Sequence, residues 1–127
     1  MSDPQLKPCP ESPNCVSTQT KQKSKQMDPI PFALDPKEII KVIKGVVENL
    51  PNTHLEKESP NYLHYTFKSR IFRFTDDVEF VIDAGKKLIH FRSASRTGYS
   101  DMGVNKKRMT ELTAGIEQAM ESRTTSR

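Results

Sequence analysis

Apolar residues recur every three to four positions in two stretches of the chain, and this spacing is typical of amphipathic helices. The first stretch follows Asp35, and its apolar positions are Ile39, Ile40, Ile43, Val46, Val47 and Leu50. Asp35 is suited to cap this helix, Pro36 to open its first turn, and Pro51 to end it. The second helix is predicted to begin with Asn105 as its N-cap. Its apolar face consists of Met109, Leu112, Ile116, Ala119 and Met120.

Between the two helices, apolar and polar residues alternate, which is the pattern of half-buried strands. Tyr62–Phe67 is one such strand, and a shorter one is predicted before it at His54–Glu58. After Phe67 the alternation changes phase, which indicates either a turn or a bulge near residues 69–71. A hairpin follows, and its inward residues are Val78, Phe80, Ile82, Ile89 and Phe91.

The alternation in this hairpin also predicts a pairing register, because a slip by one residue would face apolar residues with polar ones. The expected opposite pairs are Val78 with Phe91, Phe80 with Ile89, Glu79 with His90, and Asp77 with Arg92. The order of elements is therefore helix, strands, helix. We expect an α+β fold, with an antiparallel meander sheet of three to five strands and two helices packed on one face.

The length of 127 residues favours a single domain, and the 34% of hydrophobic residues are unevenly distributed. Residues 1–28 contain few of them, so we expect a mostly flexible N-terminal arm that includes the loop CPESPNC. Residues 29–121 are the predicted α+β domain. Residues 122–127 are the predicted disordered tail.

The net charge of +4 raises the question of nucleic-acid binding. The surplus is dispersed and only Lys106–Arg108 clusters, whereas phosphate-backbone binding needs several cations on one face. The pattern therefore argues against nucleic acid as a partner.

Neither a membrane span nor a signal peptide is predicted, because no apolar run approaches the ~20 residues that cross a bilayer. We expect a cytoplasmic protein as the sequence is written. An exported or plastid-type location would apply if a leader had been removed. The sequence indicates no oligomeric state.

Three motifs in the same order carry a resemblance to a known family. They are CPESPNCVS at 9–17, FRFTDDVEF at 72–80 and RSASRTGYSDMGVNKKR at 92–108. Together they resemble the family of the domain of unknown function fourteen ninety-nine, over Cys9 to about Leu112. The resemblance implies no particular activity. It implies a bacterial or plastid range, with some members exported or joined to membrane segments.

Cys9 and Cys15 are separated by five residues, which fits neither a zinc knuckle nor a C-x-x-C redox motif. They are a candidate disulfide in an oxidising compartment, whereas the cytosol would keep them reduced. In either state we expect residues 9–17 to fold back over part of the sheet.

Asp77 and Glu79 lie two apart on one strand, so their Cα atoms should be ~6.6–6.8 Å apart on one face. This spacing suits an acid–base pair, and a hydrolase-type enzyme using Asp77 or Glu79 with His90 is one alternative. Cross-strand ion pairs with Arg92 and His90 are the more ordinary outcome. A metal site that adds Asp76 would have a single histidine and a competing arginine, so we predict neither a metal nor a cofactor.

The loop before the last helix is the main candidate site. It is rich in glycine, hydroxyl and basic residues and precedes a helix N-terminus, where anions bind well. The predicted ligand contacts are Arg92, Ser95, Arg96, Tyr99, Ser100 and Asn105. The predicted supporting carboxylates are Asp76, Asp77, Glu79 and Asp101. We expect a binding module for an anionic small molecule or head group. A purely structural or interaction module remains the alternative, since a loop whose charges pair internally would have the same sequence.

Overall fold

The computed structural model describes residues 6–10, 14–68, 74–96 and 103–125. These residues form two helices and a six-stranded sheet, which confirms the α+β class. The elements are β1 (Cys15–Ser17), β2 (Ile30–Pro31), α1 (Pro36–Val47), β3 (Thr53–Ser59), β4 (Tyr62–Lys68), β5 (Thr75–Asp83), β6 (Leu88–Ser95) and α2 (Val104–Thr125). A single turn of 3₁₀ helix, Lys23–Lys25, lies between β1 and β2.

The sheet is the predicted antiparallel meander, extended by two short strands. Strands β3 to β6 pair consecutively, and β1 and β2 both pair with β6 on its remaining side. β1 and β2 have three and two residues, which is too short for an alternating pattern to reveal them. The edge strand β3 carries a register shift between Leu55 and Lys57. The phase change predicted at residues 69–71 lies outside the described residues.

The start of α1 is as the sequence predicts. Asp35 accepts a hydrogen bond from the backbone N–H of Lys37 at 2.9 Å, and Pro36 occupies the first helical position. The helix ends at Val47, before Pro51, with Glu48 as its C-cap.

The start of α2 differs from the prediction. The helix begins at Val104, and the carbonyl of Gly103 accepts the first helical hydrogen bond from Lys107 at 2.9 Å. Gly103 has a φ of 80°, which a residue with a side chain rarely adopts. Asn105 as N-cap is therefore wrong. It lies inside the first turn and is fully buried, and its side-chain amide bonds to Ser93 and Ser95 of β6.

The core lies between one face of the sheet and both helices. Leu63, Tyr65, Phe80 and Phe91 extend from the strands, and Ile39, Ile43, Met109 and Ile116 from the helices. The helices approach each other closely at Gly115, where an added Cβ would lie 3.3 Å from Val46 Cγ1. Tyr65 is fully buried in this core, and its hydroxyl donates to Glu48 Oε2 at 2.7 Å.

The pairing register of β5 with β6 is shifted by two residues from the predicted register. The observed pairs are Glu79 with Arg92, Phe80 with Phe91, Val81 with His90, and Ile82 with Ile89. A two-residue shift leaves every side chain on its expected face, so alternation alone could not detect it. The turn lies later than predicted because Asp83 accepts from the N–H of Lys86 at 3.0 Å and Lys87 adopts a φ of 56°.

The N-terminal segment contributes to the sheet. Cys15 pairs with Ala94 and Ser17 with Arg92, and the N–H of Thr18 donates to the carbonyl of Phe91 at 3.0 Å. A boundary at residue 28 stays a prediction. The sequence did not indicate the strand β1, which precedes this boundary. The polar residues of this segment bond to β6 through their backbone, and their side chains show no strand pattern.

Candidate functional site

The polar residues that the sequence grouped into one site lie on two opposite faces of the sheet. Successive residues of a strand point to opposite faces. The inner polar cluster (Asp76, Ser93, Asn105, Arg108) therefore lies on the helix side of the sheet. The outer polar cluster (Tyr62, His64, Asp77, Glu79, Arg92, Arg96) lies on the other side.

The inner polar cluster is a closed network. Asn105 Oδ1 accepts from Ser93 Oγ at 2.5 Å and from Arg108 Nη1 at 2.9 Å. The Nδ2 of Asn105 donates to Ser95 Oγ at 3.1 Å. Arg108 Nη2 completes the network at 2.8 Å from Asp76 Oδ2. These bonds fasten the first turn of α2 to β5 and β6, so two predicted ligand contacts, Ser95 and Asn105, bond within the protein.

In the outer polar cluster, Arg96 forms a bidentate pair with Asp77. Its Nε donates to Oδ2 at 2.9 Å and its Nη2 to Oδ1 at 3.0 Å. His64 Nε2 also lies 2.8 Å from Oδ1 of Asp77. Burial by itself would raise the pKa of the Asp77 carboxyl, but the bonds with Arg96 and His64 outweigh it and hold that pKa below its ordinary value.

Glu79 is shared between Tyr62 and Arg92. The Tyr62 hydroxyl donates to Glu79 Oε2, and burial together with this bond raises the pKa of the tyrosine above its ordinary value. Arg92 Nη1 lies 3.6 Å from Glu79 Oε1, and Nη2 donates to the carbonyl of Pro8 at 3.4 Å. The buried Nε of Arg92 has no hydrogen-bond partner in the part of the chain that the structure describes.

His90 does not face Glu79 as the predicted register required. It lies opposite Val81, and its Nδ1 is 2.8 Å from Thr18 Oγ1. The histidine that lies beside Asp77 is His64, on the outer face of β4.

The residues considered for a metal site do not converge. Asp76 lies on the opposite face from Asp77 and Glu79, and His90 bonds to Thr18. Within residues 6–10, 14–68, 74–96 and 103–125, no three His, Cys, Asp or Glu side chains are grouped as metal ligands.

Cys9 and Cys15 are joined by a disulfide with an S–S distance of 2.04 Å. Both are buried against Ala94 on the outer face of the sheet. Gln22 Nε2 donates to the carbonyl of Cys9 at 3.0 Å, and Lys25 Nζ to that of Pro10 at 2.5 Å. Residues 6–10 are thereby held over the end of β6 where Arg92 lies.

An open groove of about 670 Å³ lies between the end of α1 and the first half of α2, and we call it the helix groove. Its apolar lining consists of Val46, Leu50, Pro51, Phe67, Val104 and Leu112. Lys107, Arg108 and Glu111 supply its charged groups. The Arg108 guanidinium lies over the ring of Phe67, 4.9 Å from its centroid. Sequence analysis missed this groove because its apolar residues come from three separate elements.

The remaining predicted site residues, Tyr99, Ser100 and Asp101, lie outside the described residues. Of the predicted set, the structure brings together Arg92, Arg96, Asp77 and Glu79 on the outer face. It separates them from Asp76, Ser95 and Asn105, which lie around α2.

The fold and these clusters define a small α+β domain with polar groups on both faces of its sheet. Residues 5–116 match the family described as protein of unknown function (DUF1499), and the chain belongs to that family. No curated protein matches the chain. Neither α1 nor α2 is long and apolar enough to cross a membrane, and these are the helices of the described residues.

Proposed function

We propose that this protein is a binding module for an amphipathic anion. The apolar part of the ligand lies in the helix groove, and its carboxylate or phosphate lies at the first turn of α2. The observation that carries this proposal is an open apolar groove whose lining also includes Lys107 and Arg108.

The groove offers apolar surface that no described residue covers. Leu50 is 42% exposed and Val104 is 46% exposed, although both are large hydrophobic residues. Exposed apolar surface with a polar rim is typical of a binding site. Its volume of about 670 Å³ also lies within the ordinary range for small-molecule sites.

The charged groups indicate where the head of the ligand lies. Arg108 is held in place by Asp76 and Phe67, and because Asp76 balances its charge, the net positive charge at the groove comes from Lys107. Lys107 is exposed and belongs to the first turn of α2, where the helix dipole also favours an anion. Glu111 lies one turn further along and repels an anion, so the head group belongs at the Lys107 end.

This proposal keeps the anionic ligand expected from the sequence but changes the contacts. Arg96 is paired with Asp77, and Ser95 and Asn105 belong to the inner network. Tyr99 and Ser100 stay candidate contacts, because they precede α2 closely in the sequence.

The test is a calorimetric titration with dodecyl phosphate below its micelle concentration. We expect it to bind at least tenfold more tightly than either dodecanol or inorganic phosphate, because only it has both a tail and a charged head. Val104→Ser should weaken binding through the tail, and Lys107→Gln through the head.

Lys106→Gln is the matched control, because Lys106 is equally exposed in the same turn but does not line the groove. It should bind dodecyl phosphate like the unmodified protein. Equal weakening by Lys106→Gln and Lys107→Gln, or no binding of dodecyl phosphate at all, would contradict the proposal.

A further inference from the structure

Arg92 differs from the other two arginines of the polar clusters in how its donors are used. Arg96 and Arg108 both have a carboxylate oxygen within 3.0 Å. The two contacts of Arg92 are longer, at 3.6 Å to Glu79 and 3.4 Å to Pro8, although its side chain is only 12% exposed. A buried donor without a partner costs free energy, so native structures seldom retain one without a reason.

The unsatisfied donor lies on the edge of the guanidinium that binds oxyanions. Arg96 uses its Nε and Nη2 to hold both oxygens of Asp77. On Arg92 the same edge has an Nε without a partner in the described part of the chain and an Nη2 that reaches only the Pro8 carbonyl. Two parallel N–H groups on one edge match a carboxylate or a phosphate.

A short segment covers this edge, and we call Leu6–Pro10 the N-terminal strap. Three of its backbone carbonyls accept hydrogen bonds, those of Pro8, Cys9 and Pro10, from Arg92, Gln22 and Lys25 respectively. The backbone N–H of Leu6 donates to Gln19 Oε1 at 2.8 Å.

The Cys9–Cys15 disulfide is a covalent cross-link between the strap and β1, in addition to the chain that joins them. Cys15 is fixed in the sheet by its pairing with Ala94. While the bridge is intact, Cys9 and therefore Pro8 stay next to β6. When it is broken, Cys9 and Cys15 are connected only through the chain between them, and hydrogen bonds alone hold the strap against the sheet.

We propose that the N-terminal strap is a redox-released cover over an oxyanion site at Arg92. A dithiol transfers two electrons and two protons to the Cys9–Cys15 disulfide, which yields two thiols and leaves the dithiol as a disulfide. The strap then moves away, and the Nε and Nη2 of Arg92 bind a carboxylate or phosphate in place of the Pro8 carbonyl. Nη1 stays with Glu79. The site is on the opposite face of the sheet from the helix groove, so the two proposals do not depend on each other.

The experiment follows the Arg92 Nε–H signal by NMR while inorganic phosphate, and separately acetate, is added. It compares the oxidised protein, the protein reduced with dithiothreitol, and the Cys9→Ser/Cys15→Ser variant. We expect phosphate or acetate to shift the Arg92 signal in the reduced protein and in the Cys9→Ser/Cys15→Ser variant. The anion should bind these two proteins at least tenfold more tightly than it binds the oxidised protein. The two anions distinguish a phosphate site from a carboxylate site.

Two variants identify the residue responsible. Arg92→Lys keeps the charge but removes the two-pronged edge together with the Nε–H signal, so its phosphate affinity is measured by calorimetry, and the redox difference in that affinity should be abolished. Arg96→Lys, directly after the same strand and on the same face, should preserve the redox difference and is measured in the same way.

Equal affinity of oxidised and reduced protein, or a redox difference that persists in Arg92→Lys, would overturn the proposal. Hydrogen exchange at residues 6–10 gives a readout in the unmodified sequence. Exchange there that does not increase on reduction would also overturn it.

Discussion

Asp76 and Asp77 are neighbours in the sequence, yet their carboxylates pair with arginines on opposite faces of β5. Asp76 Oδ2 lies 2.8 Å from Arg108 on the helix side, and Asp77 Oδ2 lies 2.9 Å from Arg96 on the other side. The two carboxylates therefore have different structural roles. The inner pair is buried and fixes α2, whereas Arg96 of the outer pair is 53% exposed.

Asp76→Asn should be the more damaging of the two substitutions. It leaves the Arg108 charge buried beside a neutral amide, and removing one partner of a buried pair costs about 3–5 kcal/mol. Urea unfolding should show a loss of unfolding free energy in this range with an unchanged m-value. The matched control is Asp77→Asn, for which we expect about 1 kcal/mol because its partner is exposed. Equal losses of unfolding free energy in Asp76→Asn and Asp77→Asn would show that the inner pair does not stabilise the position of α2 more than an exposed pair would.

The outer pair should give the protein an acid-sensitive component of stability. The folded-state pKa of Asp77 is below its ordinary value of 3.8, so its stabilisation is fully present above that pH. The stabilisation is lost as the pH falls through the lowered folded-state pKa. We therefore expect the difference in unfolding free energy between the unmodified protein and Asp77→Asn to shrink at pH values below about 3.8. A difference that stays constant down to the acid transition would mean that the pair does not stabilise through its charge.

Tyr65 should produce the opposite dependence at high pH. Burial, followed by the bond to Glu48, raises the pKa of its hydroxyl above the ordinary value of 10.0. The neutral hydroxyl is therefore the form that the folded state favours, and its stabilisation is lost as the pH rises beyond the ordinary value. Tyr65→Phe should cost about 1.5–3 kcal/mol at neutral pH, because Glu48 loses a donor. Urea unfolding measures this loss, and ultraviolet titration should show tyrosine ionisation in the native protein that is delayed until unfolding.

Reduction of the Cys9–Cys15 bridge should lower stability only modestly. The cysteines are six residues apart, and closing so short a loop removes little entropy from the unfolded chain, about 2 kcal/mol. We expect this loss in urea unfolding with and without a reductant, and the Cys9→Ser/Cys15→Ser variant should match the reduced protein. If the protein did not fold at all after reduction, the bridge would be needed to form the sheet and not only to hold the strap.

The sequence predicted those features that depend on neighbouring residues. The cap of α1 at Asp35, the apolar faces of both helices and the alternation of β4 to β6 are local patterns. The structure has them apart from Leu50, which follows α1 and is exposed. Periodicity reports which face a side chain is on, because helix and strand geometry repeat every few residues.

The sequence could not predict relationships that are set by distant parts of the chain. The hairpin register was wrong by two residues because Asp83 and the left-handed Lys87 stabilise a turn that lies later than the predicted pairs require. For the same reason, His64 rather than His90 is the histidine beside an outer carboxylate. The sequence named Arg92 and Arg96 together as ligand contacts and could not show that Arg92 is the less satisfied of the two.

The pairing of β1 with β6 has a consequence for how the chain is made. Thr18 meets His90, 72 residues later in the sequence, so the first strand cannot dock until most of the protein has left the ribosome. Contacts between such distant residues form late, because a long loop must close first. The Cys9–Cys15 loop is local and needs no other strand. In an oxidising compartment, the nascent chain can therefore set this bridge before β6 exists, and β1 then arrives at the sheet with its strap already attached.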